Sequence, residues 1–179
     1  LLGTEEISYL DAVNRILATD ITARDPLPPF PASMKDGYAV LASDGLGRRQ
    51  VIAGASTAGS QPEAIAISSG FCARISTGAP LPPGADAVVM VEETKLLKAT
   101  EDGTVELEIE ITRQVTPGQE IRTVGSDIST GEVVLKRGIL LTAADVGLLA
   151  TVGQNKVQVY AQPTIAVLST GNELEDCTP

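Results

Sequence analysis

The chain has 179 residues, with 13 Lys and Arg against 23 Asp and Glu and no His, giving a net charge of −10. That length suits one or two domains burying well over half of their unfolded surface. The charge balance argues against a nucleic-acid surface, which needs clustered cations to neutralise phosphates.

Aromatic residues make up only 3% of the chain and there is no Trp, so the core has to be built from Val, Ile, Leu and Ala. Without His, the commonest general base and metal ligand is missing, and chemistry must rest on carboxylates, hydroxyls and backbone amides. Cys72 and Cys177 lie far apart with no C-x-x-C spacing, which fits neither a disulfide framework nor a zinc site and points to a reducing compartment. No apolar run approaches the roughly 20 residues that span a bilayer. No charged segment followed by an apolar stretch opens the chain, so a cytoplasmic location is expected.

In chain order, "GTEEISYLDAVNRILATDI" predicts a helix: Thr4 as cap, Glu5 and Glu6 at the positive dipole end, and a stripe of Ile7, Leu10, Val13 and Leu17. "DPLPPFP" ends it, because prolines lock φ and remove backbone donors. From "YAVLA" to "IRTVG" the pattern changes to short apolar or alternating runs divided by Gly, Pro and Asp. "QVIAGAS", "FCARIST", "DAVVMVEET", "VELEIEIT" and "GQEIRTV" read as strands of a mainly antiparallel β module. "EVVLKRGILL" reads as a strand pair around Arg137–Gly138. "TAADVGLLATVG" reads as a helix with Thr142 and Asp145 in capping-box spacing, and "KVQVY" as an alternating strand. The continuous apolar run Ile165–Leu168 before a Ser-Thr-Gly turn predicts a buried parallel strand entering an α/β unit. Its neighbours and covering helices would have to lie beyond the chain, so a further domain is expected after about residue 163. The fold class expected is α+β: a β-rich insert in a small helix-and-strand subdomain, then the first strand of a truncated α/β domain.

Three loops share a plan of hydroxyl or small residue, glycine and nearby carboxylate or proline: "SMKDGYA" (33–39), "STGAPLPPGADAVV" (76–89) and "GSDISTGE" (125–132). "STGNEL" (169–174) starts a fourth. Asp36 reads either as a turn former satisfying local amides or as an acid held at the end of a stiff proline lead-in. Thr77 fits an ordinary turn hydroxyl, Asp127 a hairpin start, Glu173 a first-turn helix residue, and Tyr38 a core position. An aspartic-protease pair fails, since the flanks read D-G-Y and S-D-I. Two isolated carboxylates suit Mg²⁺ better, an ion that takes few carboxylate oxygens alongside substrate phosphates.

In order and spacing, "DPLPPFPASMKDGYAV", "STGAPLPPGADAVVMVEET", "GQEIRTVGSDISTGEVVLKRG", "GLLATVG" and "PTIAVLSTGNEL" resemble the MoeA/gephyrin E-domain family, the molybdopterin molybdenumtransferases. "KDGYAV" and "STGNEL" are closer to the eukaryotic, gephyrin-type pattern. The resemblance implies insertion of molybdate into adenylyl-molybdopterin with release of AMP, a requirement for Mg²⁺, and an elongated homodimer. It implies a discontinuous subdomain I over 1–25 and 130–162 with a role in dimerisation, a β-rich subdomain II over 26–129, and a stub of the pterin-binding α/β subdomain III over 163–179. Catalytic roles fall on Asp36, Thr77, Asp127 and Glu173, and metal-binding roles on Asp36 and Asp127. Cofactor contacts fall on Ser33, Lys35, Gly78, Ser169, Thr170 and Gly171. The implied cleft is completed by another protomer, and the glycine-rich and basic groups of subdomain III that would grip pterin and molybdate are missing here. The chain is therefore expected to be inactive by itself. Two other readings stand beside this one. The first is a gephyrin-type scaffold that clusters receptors at the postsynaptic membrane, with the receptor intracellular loop bound by domains beyond this chain; the second is a β-rich domain without catalysis.

Overall fold

The computed structural model describes residues 3–56, 66–168, 170, 171, 173 and 175. The chain divides into two compact units, Leu1–Thr22 with Val133–Pro179, and Ala23–Glu132.

In the first unit, β1 (Thr4–Ser8) pairs antiparallel with β12 (Lys156–Tyr160), and β2 (Ile21–Thr22) with β11 (Val133–Leu135). Single bridges join Ile16 to Leu140 and Leu17 to Val159. The helix α1 (Ala143–Thr151) carries the expected capping box: Asp145 N–H donates to the Thr142 hydroxyl, and the Thr142 N–H donates to the Asp145 carboxylate at 2.8 Å. Leu17, Ile21, Leu135, Leu141, Leu149, Val157 and Val159 close the core of this unit.

The predicted N-terminal helix is not formed. Thr4–Ser8 is a strand, a single 3-10 turn follows at Tyr9–Asp11, and Asn14 sits at φ +64°. A helix does not continue through a left-handed residue, which Asn tolerates better than most. Ser8 instead caps the short turn by accepting from the Leu10 N–H. Glu6 pairs with Lys156 at 3.0 Å across the β1–β12 ribbon, and Glu5 pairs with Arg15 of the segment after the 3-10 turn. Leu10 and Val13 of the supposed core stripe are exposed. Two further expectations need correction. Leu135 and Leu140 do not pair with each other around Gly138; they pair with Ile21 and Ile16. Ile165–Leu168 is not a strand, and Ile165, Val167 and Leu168 are 78–89% exposed. A parallel strand needs flanking strands for its N–H and C=O groups, and no described element pairs with these residues.

The second unit holds a six-stranded sheet in the order β7-β4-β6-β5-β9-β8, built from β7 (Ala87–Met90), β4 (Gly37–Val40), β6 (Phe71–Ile75), β5 (Gly47–Ser56), β9 (Glu106–Ile111) and β8 (Thr94–Ala99). All neighbours are antiparallel except β5 and β6. A short ribbon of β3 (Ala32–Ser33) and β10 (Ile121–Arg122) accompanies it. The fold class is thus β-rich and mainly antiparallel with little helix. β4 is buried on both faces: Tyr38 and Val40 pack with Cys72, Val89, Ile109 and Ile111, while Ala39 packs with Ile75, Ala79 and Val88. Burial on both sides explains why "GYAV" and "AVVM" read as continuous apolar runs and not as alternation. At the β8 edge, Lys95 and Lys98 stand opposite Glu110 and Glu108, and such charges discourage pairing with another chain.

Gly37 is required by proximity: a Cβ there would lie 1.9 Å from the Val89 carbonyl oxygen of β7. Gly37→Ala is expected to cost about 3 kcal/mol, read as a lower urea midpoint at unchanged slope. Thr142→Ala should cost about 1 kcal/mol at neutral pH. The Thr142 hydroxyl and then its backbone N–H hold the Asp145 carboxyl below the usual range. A depressed acid adds stability above its unfolded pKa of about 3.9 and loses it as pH falls through the folded value. The Thr142→Ala cost should therefore shrink near pH 2, measured by the same melts.

Candidate functional site

Residues 31–34 form a strip between two other loops. On one side Ser33 N–H donates to the Ala79 carbonyl at 2.9 Å, Gly78 N–H to Ser33 at 2.8 Å, and Leu81 N–H to Pro31 at 2.8 Å. On the other, Met34 N–H donates to the Glu120 carbonyl at 2.9 Å, and β3 pairs with β10. The proline lead-in is strapped down in the same way. Leu27 N–H donates to Ile128, and the Leu27 and Pro28 carbonyls accept from Asp127 and Gly125. Prolines offer no donors, so the segment is held mainly through its carbonyls and the one Leu27 amide.

Ser33 is buried, and its hydroxyl donates to the Lys35 carbonyl at 2.6 Å while accepting the Lys35 N–H at 3.3 Å. This clamp tightens the turn that delivers Asp36. Asp36 Oδ1 accepts both the Thr77 N–H at 2.7 Å and the Thr77 hydroxyl at 3.1 Å. The two motifs "DGYA" and "TGAP", 41 residues apart, are joined by one carboxylate oxygen. The Thr77 amide, then its hydroxyl, hold the Asp36 carboxyl below its ordinary range, with a smaller contribution from the Arg74 charge and burial opposing. At neutral pH Asp36 is an exposed carboxylate, able to accept hydrogen bonds or face a cation but not to donate a proton. The amides of Thr77 and Gly78 are both used inside the unit, so this turn offers a ligand hydroxyl chemistry and no oxyanion hole.

A cavity of about 560 Å³ opens beside this turn. Leu27, Pro28, Phe30 and Met34 give it apolar walls, Ser33, Thr77 and Gly78 line it, and Arg122 and Asp127 complete the lining. Arg122 makes a bidentate pair with Asp127, Nε to Oδ1 at 3.0 Å and Nη2 to Oδ2 at 2.7 Å. Arg122 is the residue that sequence reading missed. Its signal is the "IRTVGSD" spacing, in which Gly125 at φ +70° turns the chain so that residues 122 and 127 face each other. Asp36 meets Thr77, and Thr77 shares the cavity with Asp127. Lys35 is exposed and contributes its backbone to the Ser33 clamp. Thr170, Gly171 and Glu173 are exposed residues of the other unit, and Ser169 lies outside the described residues.

Asp36 and Asp127 do not fit a magnesium ion bound between them. Both oxygens of Asp127 already face a guanidinium, which neutralises the acid and repels a cation. Among the described residues no group of three acidic, His or Cys side chains is arranged to hold a metal, and no helix is long and apolar enough to cross a membrane.

The family model described as the MoeA N-terminal region, domain I and II, matches residues 1–153. Gephyrin of Dictyostelium discoideum is 40% identical over 96% of the chain, and the molybdopterin molybdenumtransferase of Haemophilus influenzae 41% over 96%. The solved structure of the molybdopterin biosynthesis MoeA protein from Pyrococcus horikosii superposes with a TM-score of 0.82 at 36% identity, covering 97% of this chain and 45% of that one. The chain spans 25% of the length of the first relative and 41% of the second. With most of its length inside the family match and relatives of this likeness, the chain belongs to the MoeA/gephyrin family, through its N-terminal region.

Proposed function

We propose that this chain is the N-terminal portion of a molybdenum-cofactor enzyme that inserts molybdate into adenylyl-molybdopterin and releases AMP. The observation that carries the reading is the tie between Asp36 and Thr77, the latter lining a cavity together with the Arg122–Asp127 pair. An apolar-walled cavity with a few convergent polar groups suits a flat ring carrying an anionic tail. In this reading Ser33, Lys35 and Gly78 shape the ligand-facing turn, and Thr77 presents its hydroxyl to the ligand. Asp127 acts by orienting Arg122 towards an anionic group, not as a metal ligand. Asp36 fixes the Thr77 loop and places a permanent negative charge at the edge.

Another protomer of a homodimer completes the site, and Glu173 with Ser169, Thr170 and Gly171 belongs to the pterin-gripping side of that arrangement. Support for the division of labour comes from the charge. A chain at −10 with one arginine in the cavity lining is poorly equipped to hold phosphate and molybdate unaided. The cytoplasm is the expected location.

In the full-length protein, Asp36→Asn should lower molybdate-dependent AMP release at least roughly a hundredfold while leaving dimers intact by light scattering. Turnover at the wild-type rate in that variant would remove Asp36 from the reaction. Carbon-detected NMR titration should find the Asp36 carboxyl below the ordinary aspartate value of about 3.9. Thr77→Val, which keeps the amide donor and deletes the hydroxyl, should move it upward; an unchanged midpoint would refute the hydroxyl's share.

A further inference from the structure

Sulfur is sparse in this chain, which has two Met and two Cys. Cys72 is fully buried in the β4 core, and burial pushes its thiol up to about 12, so almost no thiolate forms at neutral pH. Met90 is half-buried on β7, paired with Gly37 of β4. Cys177 lies outside the described residues. Met34 is different: it is 52% exposed and lines the Thr77 cavity. Among the described residues it is therefore the sulfur that a dissolved oxidant meets first.

The place of that sulfur matters as much as its exposure. Met34 shares the apolar wall with Leu27, Pro28 and Phe30, whose side chains carry no hydrogen-bond donor. A thioether suits such a wall because it is apolar and polarisable. A sulfoxide does not, since it adds a polar oxygen that needs a donor. The donors in the rest of the lining are already turned to other acceptors. The Ser33 hydroxyl donates to the Lys35 carbonyl, the Thr77 hydroxyl to Asp36, and the Arg122 guanidinium to Asp127. Water would then be the partner of a sulfoxide oxygen, and a ligand covering the wall would strip that water away.

We infer that Met34 is a reversible oxidation site, and that its sulfoxide weakens binding of a flat ring in the cavity. The oxidant is a hydroperoxide such as hydrogen peroxide. The sulfur lone pair attacks one peroxide oxygen, the O–O bond breaks, and a sulfur–oxygen bond forms. The proton of the transferred oxygen passes to the departing one, which leaves as water; sulfur loses two electrons and the peroxide gains them. Two methionine sulfoxide reductases, one for each sulfoxide epimer, reverse the step at the expense of a thiol reductant. This inference rests on the cavity being the ligand site proposed above, and adds its control by oxidants.

The test compares the 179-residue chain before and after mild peroxide treatment, with indole as a flat neutral probe of the cavity. Peptide mass mapping should find Met34 oxidised at least roughly threefold faster than Met90. By methyl-detected NMR, indole should shift the Leu27 and Met34 signals saturably in the reduced chain. It should bind at least roughly fivefold more weakly to the oxidised chain, as expected when one covered acceptor goes unpaired. The two reductases together should restore the reduced affinity. Met34→Leu should show one affinity before and after peroxide. Met90→Leu, a swap of similar volume, should keep the whole response and decides the matter if Met34→Leu does not fold. In the full-length protein, peroxide should raise the KM of AMP release, and Met34→Leu should abolish that rise. No AMP release from reduced protein would end the molybdenum-transfer reading and leave the indole result standing. Faster oxidation of Met90, no saturable shift with indole, equal indole affinity in the sulfoxide form, AMP release at an unchanged KM, or a response persisting in Met34→Leu would each overturn the inference.

Discussion

The Ala23–Glu132 unit depends on a contact with no room in it. Gly37 of β4 passes so close to the Val89 carbonyl of β7 that only a hydrogen fits between them. That approach sets the depth of β4 in the sheet, which buries Tyr38, Ala39 and Val40 and leaves Asp36 as the first residue outside the ladder. The acid is therefore positioned by packing that begins one residue later, and the Thr77 amide then receives it. A side chain held between a buried strand and a backbone donor loses little further freedom when a ligand arrives, which is the physical content of preorganisation.

Charge is arranged around the cavity with similar economy. Asp36 is kept ionised chiefly by the neutral donors of Thr77, while Asp127 accepts a bidentate pair from the Arg122 guanidinium and holds that guanidinium in place. The two acids thus differ in what they leave for a ligand. One presents negative charge, and the other presents the positive charge of its partner. An acidic chain can offer an anion a local foothold in this way, since field at a contact is set by neighbours within a few ångströms more than by the net total.

Much of this was legible in the residues. The strands of the β module announce themselves through short apolar runs between Gly, Pro and Asp, and Thr142 with Asp145 marks the start of α1 in the sequence alone. The motifs around Asp36, Thr77 and Asp127 were visible as separate loops, but their meeting was not. It is made by backbone bonds from residues 31–34, and a sequence does not display which amide finds which carbonyl. The first segment misled because its apolar spacing suits a helix, whereas the partner strand β12 and the left-handed Asn14 decide the outcome from outside the pattern. Arg122 escaped notice because its role comes from facing Asp127 across a glycine turn, and an arginine without a fold around it says little. The arrest at Ile165–Leu168 has the same logic in reverse: composition favours a strand, and pairing partners determine whether one exists.

The strip at residues 31–34 uses its amides and carbonyls on both flanks at once, in three bonds with the 78–81 turn and, on the other side, one to Glu120 beside the β3–β10 ladder. Those bonds are made by main-chain atoms, so apart from the buried Ala32 and Ser33 the strip acts as a spacer whose length matters more than its letters. Exchanging an exposed side chain such as Met34 leaves the lacing untouched. Removing or adding a single residue would slide every donor past its acceptor, unthreading the turn that bears Thr77 and the bend that bears Arg122 together. Along this stretch the number of residues is therefore a tighter constraint than the identity of the exposed side chains.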